Sequence, residues 1–186
     1  EIILIKSTLL IFEEIAAHRR LLNLWNKKNK KVFKIRYIWF FVAALRHVGI
    51  ILDGNRRFAK RLMLKPFMGH DWGAKKVKAL LEWCKEEGIK EVTLFGFSLE
   101  NFVRPKREFD YLVRLFEDEF KKTLSDPLLY KDRIKIRFIG RTWLFPQSIY
   151  KLMLELMEKT KDHDKYTVNF AMAYDGRAEI VLGGSS

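Results

Sequence analysis

Four short apolar runs, near residues 47 to 52, 91 to 96, 134 to 139 and 166 to 173, alternate with longer stretches of helical spacing near 55 to 63, 72 to 87, 105 to 124 and 146 to 160. This alternation narrows the possible folds most. A strand, a helix and a further strand in succession imply a parallel sheet, because parallel neighbours can be joined only by a long crossover. Val48, Ile50, Ile51 and Leu52 suit a strand covered on both faces. Gly88 follows the second helical stretch as a C-cap, and Pro105 stands where a helix can begin. The expected fold class is therefore α/β, a parallel sheet with helices on both faces, occupying residues 47 to 182 and ending in a short Gly/Ser tail at 183 to 186.

Two of these runs end abruptly on polar groups. After Leu52 come Asp53, Gly54, Asn55, Arg56, Arg57 and Phe58; after Phe97 come Ser98, Leu99, Glu100, Asn101, Phe102, Val103 and Arg104. Open α/β sheets bind ligands at the carboxyl ends of their strands, and a glycine there lets backbone amides and bases approach phosphate oxygens. Blander readings remain at this level. A bare D-G is most often a hairpin turn, Ser98 can be a helix N-cap, and Arg104 with Glu108 can be a surface ion pair.

In combination the blocks resemble the cis-prenyltransferases, the family of undecaprenyl and dehydrodolichyl diphosphate synthases. The block H-V-G-I-I-L-D-G-N-R-R-F, with its later G-H at Gly69 and His70, resembles the first family signature, and F-S-L-E-N-F-V-R-P-K-R-E resembles the second. I-R-F-I-G at 136 to 140 and N-F-A-M-A-Y-D-G-R at 169 to 177 match the strands that follow in family order. The resemblance implies Mg²⁺-dependent condensation of isopentenyl diphosphate with an allylic diphosphate, giving a cis-polyprenyl diphosphate.

It further implies roles for particular residues. Asp53 would be catalytic and hold the metal, consistent with the way Mg²⁺ takes one or two carboxylates plus substrate phosphates. Asn101 would be the second catalytic residue. Gly54, Asn55, Arg56, Arg57, Phe58, His70, Ser98, Leu99, Glu100, Phe102 and Arg104 would contact substrate, with Lys65 replacing a base that the family carries where this chain has Pro66. An elongating hydrocarbon also needs an apolar channel, for which Val77, Leu80 and Leu81 on one helix and Phe109, Leu112, Leu115 and Phe116 on the next are candidates. The family's closing R-T-S-G-E-x-R-L-S block does not occur before Ser186. A C-terminally truncated domain with impaired turnover is the expectation, and a homodimer where that block is present.

The chain has 186 residues with 36 Lys and Arg against 23 Asp and Glu, a formal charge of +13. That size and a 48% hydrophobic content suit one core, and the surplus charge favours phosphate-bearing partners. Residues 1 to 46 carry ten bases and three acids and show helical spacing over 3 to 29, so they read as a basic amphipathic N-terminal segment suited to peripheral contact with an anionic membrane or to packing on the domain. No apolar stretch there approaches the ~20 residues a membrane span requires, and a cytoplasmic protein, soluble or peripheral on the membrane, is the expectation. A nucleic-acid-binding protein or a non-catalytic partner subunit are the alternative readings. A pure scaffold has no chemical need for Asp53, Asn55, Arg57 and Asn101, and phosphate-facing groups at strand tips rather than on an exposed basic helix or aromatic platform lower the nucleic-acid reading. The lone cysteine, Cys84, lies on an apolar helix side and reads as an inert core thiol.

Overall fold

The computed structural model describes residues 2–6, 46–52, 59, 61, 63 and 69–183. Its framework is a five-stranded, wholly parallel sheet of β1 (Ile2–Lys6), β2 (His47–Ile51), β3 (Glu91–Ser98), β4 (Ile134–Ile139) and β5 (Tyr166–Tyr174), in spatial order β1-β2-β3-β5-β4. The crossovers contain α1 (Gly69–Glu86), α2 (Lys106–Ser125), α3 (Pro127–Lys131) and α4 (Gln147–Lys159), and α5 (Gly176–Gly183) follows β5. The alternation expected from the apolar runs is thus realised, with strand and helix ends within a few residues of their anticipated places. Of the helix expected near 55 to 63, residues 59 and 61 are helical, Met63 lies in a turn at φ +56°, and the others lie outside the described residues.

One expectation needs correction. Residues 3 to 6 do not begin an amphipathic helix but belong to β1, where Ile2 pairs with His47 and Lys6 with Ile51. The run Ile2-Ile3-Leu4-Ile5 is uninterrupted and rich in β-branched side chains, a composition that favours a pleated strand over a helix. The remainder of the expected helix, to residue 29, lies outside the described residues.

Register fixes which side chains share the core. Val48 stands beside Val92, Val92 beside Val168 and Val168 beside Ile136, so one face of the sheet presents an apolar row. Leu80 and Cys84 of α1, Leu112 and Phe120 of α2, and Ile149, Met153 and Leu156 of α4 join this row in a single buried cluster. Those helical positions recur at three- and four-residue spacing, as one buried stripe requires. Gly88, at φ +78°, ends α1 as expected, with the Ile89 N–H donating to the Cys84 carbonyl.

Toward the carboxyl edge the ladder between β3 and β5 shifts register twice. Phe95 pairs with Ala171, Phe97 with Met172 and Ser98 with Tyr174, so Gly96 and Ala173 are each passed over. Ala173 adopts φ +53°, unusual for a residue with a Cβ, and the chain leaving β4 packs directly onto this kink. There Gly140 has φ +109°, its neighbour Arg141 donates to the Ala173 carbonyl at 3.2 Å, and a Cβ on Gly140 would collide with the Met172 carbonyl oxygen. Gly140→Ala should therefore lower unfolding stability by about 2–4 kcal/mol in urea titration, combining backbone strain with the steric collision. A change below about 0.5 kcal/mol would contradict the close approach.

Candidate diphosphate and prenyl-chain site

In a parallel sheet every strand delivers its last residue to the same edge, and here that edge carries the polar blocks. β2 ends at Ile51, and the Leu52 N–H donates to the Phe95 carbonyl at 3.2 Å, so the segment that precedes Asp53 leaves the sheet directly beside β3. Asp53, Gly54, Asn55, Arg56, Arg57, Phe58 and Lys65 lie outside the described residues. His70 stands in the first turn of α1.

The second block is described throughout. Ser98 ends β3 and N-caps a 3-10 helix, Leu99–Val103, after which Arg104 turns the chain toward α2. The Ser98 backbone N–H donates to the Asn101 Oδ1 at 3.1 Å. This commits the carboxamide oxygen to the turn and leaves the NH₂ of Asn101 as the group that can donate to a ligand. Arg104 Nη1 donates to Glu108 Oε1 at 2.9 Å, and Glu108 is buried in the first turn of α2. The pair is no loose surface bridge: Arg104 is held by one acid, and its remaining N–H donors can meet an anion.

Ser98, Asn101 and Arg104 line one end of a cavity of about 950 Å³ between the sheet, α1 and α2. Leu99, Glu100 and Phe102 are not among its lining residues. Leu99 and Phe102 pack on the core instead, Phe102 against Phe97 (5.0 Å between ring centroids), Phe145 (5.4 Å) and Phe109 (5.6 Å). Phe145, which belongs to no recognised motif, is a member of this ring cluster behind the 3-10 turn; the clue in the sequence was only its position before Pro146.

Away from the polar end the wall mixes apolar and charged side chains. Val77 and Leu81 from α1, Leu112, Leu115 and Phe116 from α2, and Phe170 from β5 supply its apolar part, Lys78, Glu82, Glu119 and Lys122 are among the charged lining residues, and Leu80 and Phe109 point into the packed core. The strand order explains the direction of the cavity. Both helices run against the strands, so it extends from the carboxyl edge at Ser98 toward the amino edge at Ile134 and Tyr166. Cys84 also faces it, and burial pushes its thiol up to about 12, so the sulfur stays protonated near neutral pH.

A polar mouth carrying Arg104 opens on a largely apolar cavity, a shape suited to an anionic head with a hydrocarbon tail. Residues 51–184 match the profile of the family described as "Putative undecaprenyl diphosphate synthase", and the chain belongs to that family. Over 136 residues it is 42% identical to the tritrans,polycis-undecaprenyl-diphosphate synthase (geranylgeranyl-diphosphate specific) of Pyrococcus horikoshii, covering 73% of this chain and 52% of that one. It is 43% identical to an isoprenyl transferase of Thermus thermophilus, again over 136 residues, with the same two coverages of 73% and 52%. The chain thus spans about half the length of the curated relatives it matches. Among solved structures, lavandulyl diphosphate synthase from Lavandula x intermedia in complex with dimethylallyl diphosphate superposes with a TM-score of 0.72 at 28% identity, over 77% of this chain and 61% of that one. A probable undecaprenyl diphosphate synthase from Campylobacter jejuni gives a TM-score of 0.62 at 30% identity, over 76% and 60%.

The Arg104–Glu108 contact can be tested directly. Arg104→Met leaves the buried Glu108 carboxylate without this guanidinium and should cost about 2–3 kcal/mol of stability, somewhat below the cost of breaking a fully buried pair because Arg104 keeps partial access to solvent. The double variant Arg104→Met/Glu108→Met should recover at least about half of that loss in a double-mutant cycle. Strict additivity of the two single changes would show that the contact has no energetic weight.

Proposed function

We propose that this chain forms the allylic-diphosphate half of a cis-prenyltransferase site, in a protein that condenses isopentenyl diphosphate with an allylic prenyl diphosphate and elongates it to a polyprenyl diphosphate. The observation that carries this reading is the junction at residues 98 to 104. There an amide donor and a guanidinium stand at the mouth of a largely apolar cavity of about 950 Å³, so a diphosphate and its prenyl tail can be satisfied at once. Arg104 and Asn101 donate to phosphate oxygens as the leaving group gains charge, and the apolar wall receives the tail. In the reaction a bond forms between isopentenyl diphosphate and the allylic C1 carbon, the C1–O bond to diphosphate breaks, and the condensing unit loses one proton. Asn101 positions that unit, while a diphosphate oxygen or the Asp53 carboxylate takes the proton.

Among the described residues no group of three or more His, Cys, Asp or Glu side chains gathers to hold a metal. The described mouth is a set of donors, complementary to phosphate and not to a cation. In this reading Mg²⁺ would be held jointly by Asp53 and the substrate's phosphate oxygens, as is usual for this ion. When bound it would neutralise charge on the departing diphosphate. Asn55, Arg56, Arg57 and His70 complete the grip in this reading, with Gly54 allowing the backbone to approach and Phe58 and Lys65 flanking it.

Calorimetry with an allylic prenyl diphosphate tests the proposal. Binding should require Mg²⁺ and exceed that of the matching prenyl alcohol by at least about tenfold, and Asp53→Ala should lose the Mg²⁺ dependence. Equal binding of alcohol and diphosphate would contradict it. In the same protein, radiolabelled isopentenyl diphosphate reports whether condensation follows.

Residues 1 to 46 form the second part of the proposal. Their seven surplus positive charges and apolar runs would attach the protein peripherally to anionic membrane, where a polyprenyl product partitions. No helix among the described residues is long and apolar enough to cross a membrane. Flotation with phosphatidylglycerol vesicles should recover the protein at low salt and lose it as salt rises; undiminished flotation of a version beginning at Arg46 would overturn this part.

A further inference from the structure

The turns around the cavity mouth present apolar side chains to the outside. The 3-10 helix Leu99–Val103 after β3 and a second one, Thr142–Leu144, after β4 both lean on β5. They also touch each other, because Phe102 and Phe145 meet with ring centroids 5.4 Å apart. Each of these inward rings has an apolar chain neighbour turned the other way: Val103, after Phe102, is 88% exposed, and Leu144, before Phe145, is 46% exposed. Trp143, beside Leu144, is 62% exposed, an unusual position for a side chain that folding normally covers. Val103 also adjoins Arg104, which lines the cavity, so this apolar tip borders the mouth itself.

Exposed charge on the same edge is one-sided. Where the chain leaves β3, β4 and β5, over residues 99–110, 140–148 and 175–177, Lys106, Arg107, Arg141 and Arg177 are exposed bases and Glu100 is the one exposed acid. Glu108 is buried against Arg104, Asp110 accepts from Lys106, and Asp175 accepts from the Arg177 backbone N–H; both aspartates are half-buried. The amino edge differs. There the Lys85 ammonium donates to Asp132 Oδ2 and Lys78 stands 3.6 Å from Asp126, so base and acid balance.

We infer that the rim formed by Val103, Trp143 and Leu144 seats in the surface of an anionic membrane and holds the cavity mouth against the bilayer. This rests on the reading of the cavity as a prenyl site. Size and charge choose the occupant. Three protruding side chains fall well short of the roughly 800 Å² per partner that a stable protein interface buries. A tryptophan at head-group depth, with apolar neighbours and a fringe of bases, is instead what an anionic lipid surface accommodates. The contact is separate from the one proposed for residues 1 to 46. That segment would give attachment, whereas the rim gives orientation, so that a prenyl tail passes between bilayer and cavity without crossing water.

The test is co-sedimentation of the whole chain with phosphatidylglycerol vesicles at low salt. Trp143→Ser/Leu144→Ser should weaken partitioning at least about tenfold, whereas Leu154→Ser, at an exposed leucine on α4, should change it less than about twofold. Vesicles with brominated acyl chains report depth: they should quench tryptophan fluorescence more in the unaltered chain than in Trp143→Phe, a measurement that also serves if the double variant is unstable. Unchanged partitioning of the double variant, or equal quenching with and without Trp143, overturns the inference and leaves the prenyl reading standing. A dimer of the unaltered chain that the double variant splits, with vesicle binding unchanged, would assign the rim to a second copy and overturn it as well. If an allylic diphosphate binds no better than its alcohol, the diphosphate reading fails, yet rim-dependent partitioning still upholds the membrane contact.

Discussion

Parallel strand pairing is the constraint from which the rest of the structure follows. It forces each connection to cross the sheet as a helix, and it gives the sheet two unlike edges, one made only of strand beginnings and one only of strand ends. The polar residues that end β3 therefore fall at the same edge to which β2 runs. The same rule sets α1 and α2 side by side and antiparallel to the strands, so the space between them and the sheet is a passage from one edge to the other.

The mouth and the far end of this passage use charge differently. At the mouth, Arg104 is anchored by a buried acid but keeps donors to spare, an arrangement suited to receiving an anion. At the far end Lys85 and Asp132 answer each other. The passage thus runs between a guanidinium with donors to spare and an ammonium whose carboxylate is already in place. The wall between them is set by helix periodicity, which is why residues chosen for a core stripe also face the passage.

Much of this could be read in the sequence, and for identifiable reasons. The β2, β3, β4 and β5 strands are short apolar runs bounded by polar groups, and their pattern is local. Gly88 and Pro105 mark helix ends by backbone chemistry alone. The block from Ser98 to Arg104 announced its polarity but not its facing: the three residues that reach the cavity are 98, 101 and 104, the spacing of a 3-10 turn, whereas Phe102 is taken into the ring cluster with Phe97 and Phe145. Lys85 and Asp132 were invisible because nothing local links a helix end to a loop 47 residues later. β1 is hidden in the sequence because its few β-branched residues run directly into a longer stretch of helical spacing.

The double register shift between β3 and β5 has a consequence of its own. Facing in a strand is a matter of parity, even or odd, and a strand has no other way to choose sides. By skipping Gly96 on one strand and Ala173 on the other, the two chains each change parity once, at the same height in the sheet. Below that height even positions such as Leu94 and Val168 build the core; above it Phe97 is turned inward and Ser98 follows it to the cavity rim. The sheet is spliced there, with Val92 and Leu94 buried below the shift and Phe97 buried above it. Deleting one residue between Val92 and Phe95 would leave the facing above the shift intact and invert that of the residues before the deletion, so a single lost residue on one side of the splice spares the facing on the other.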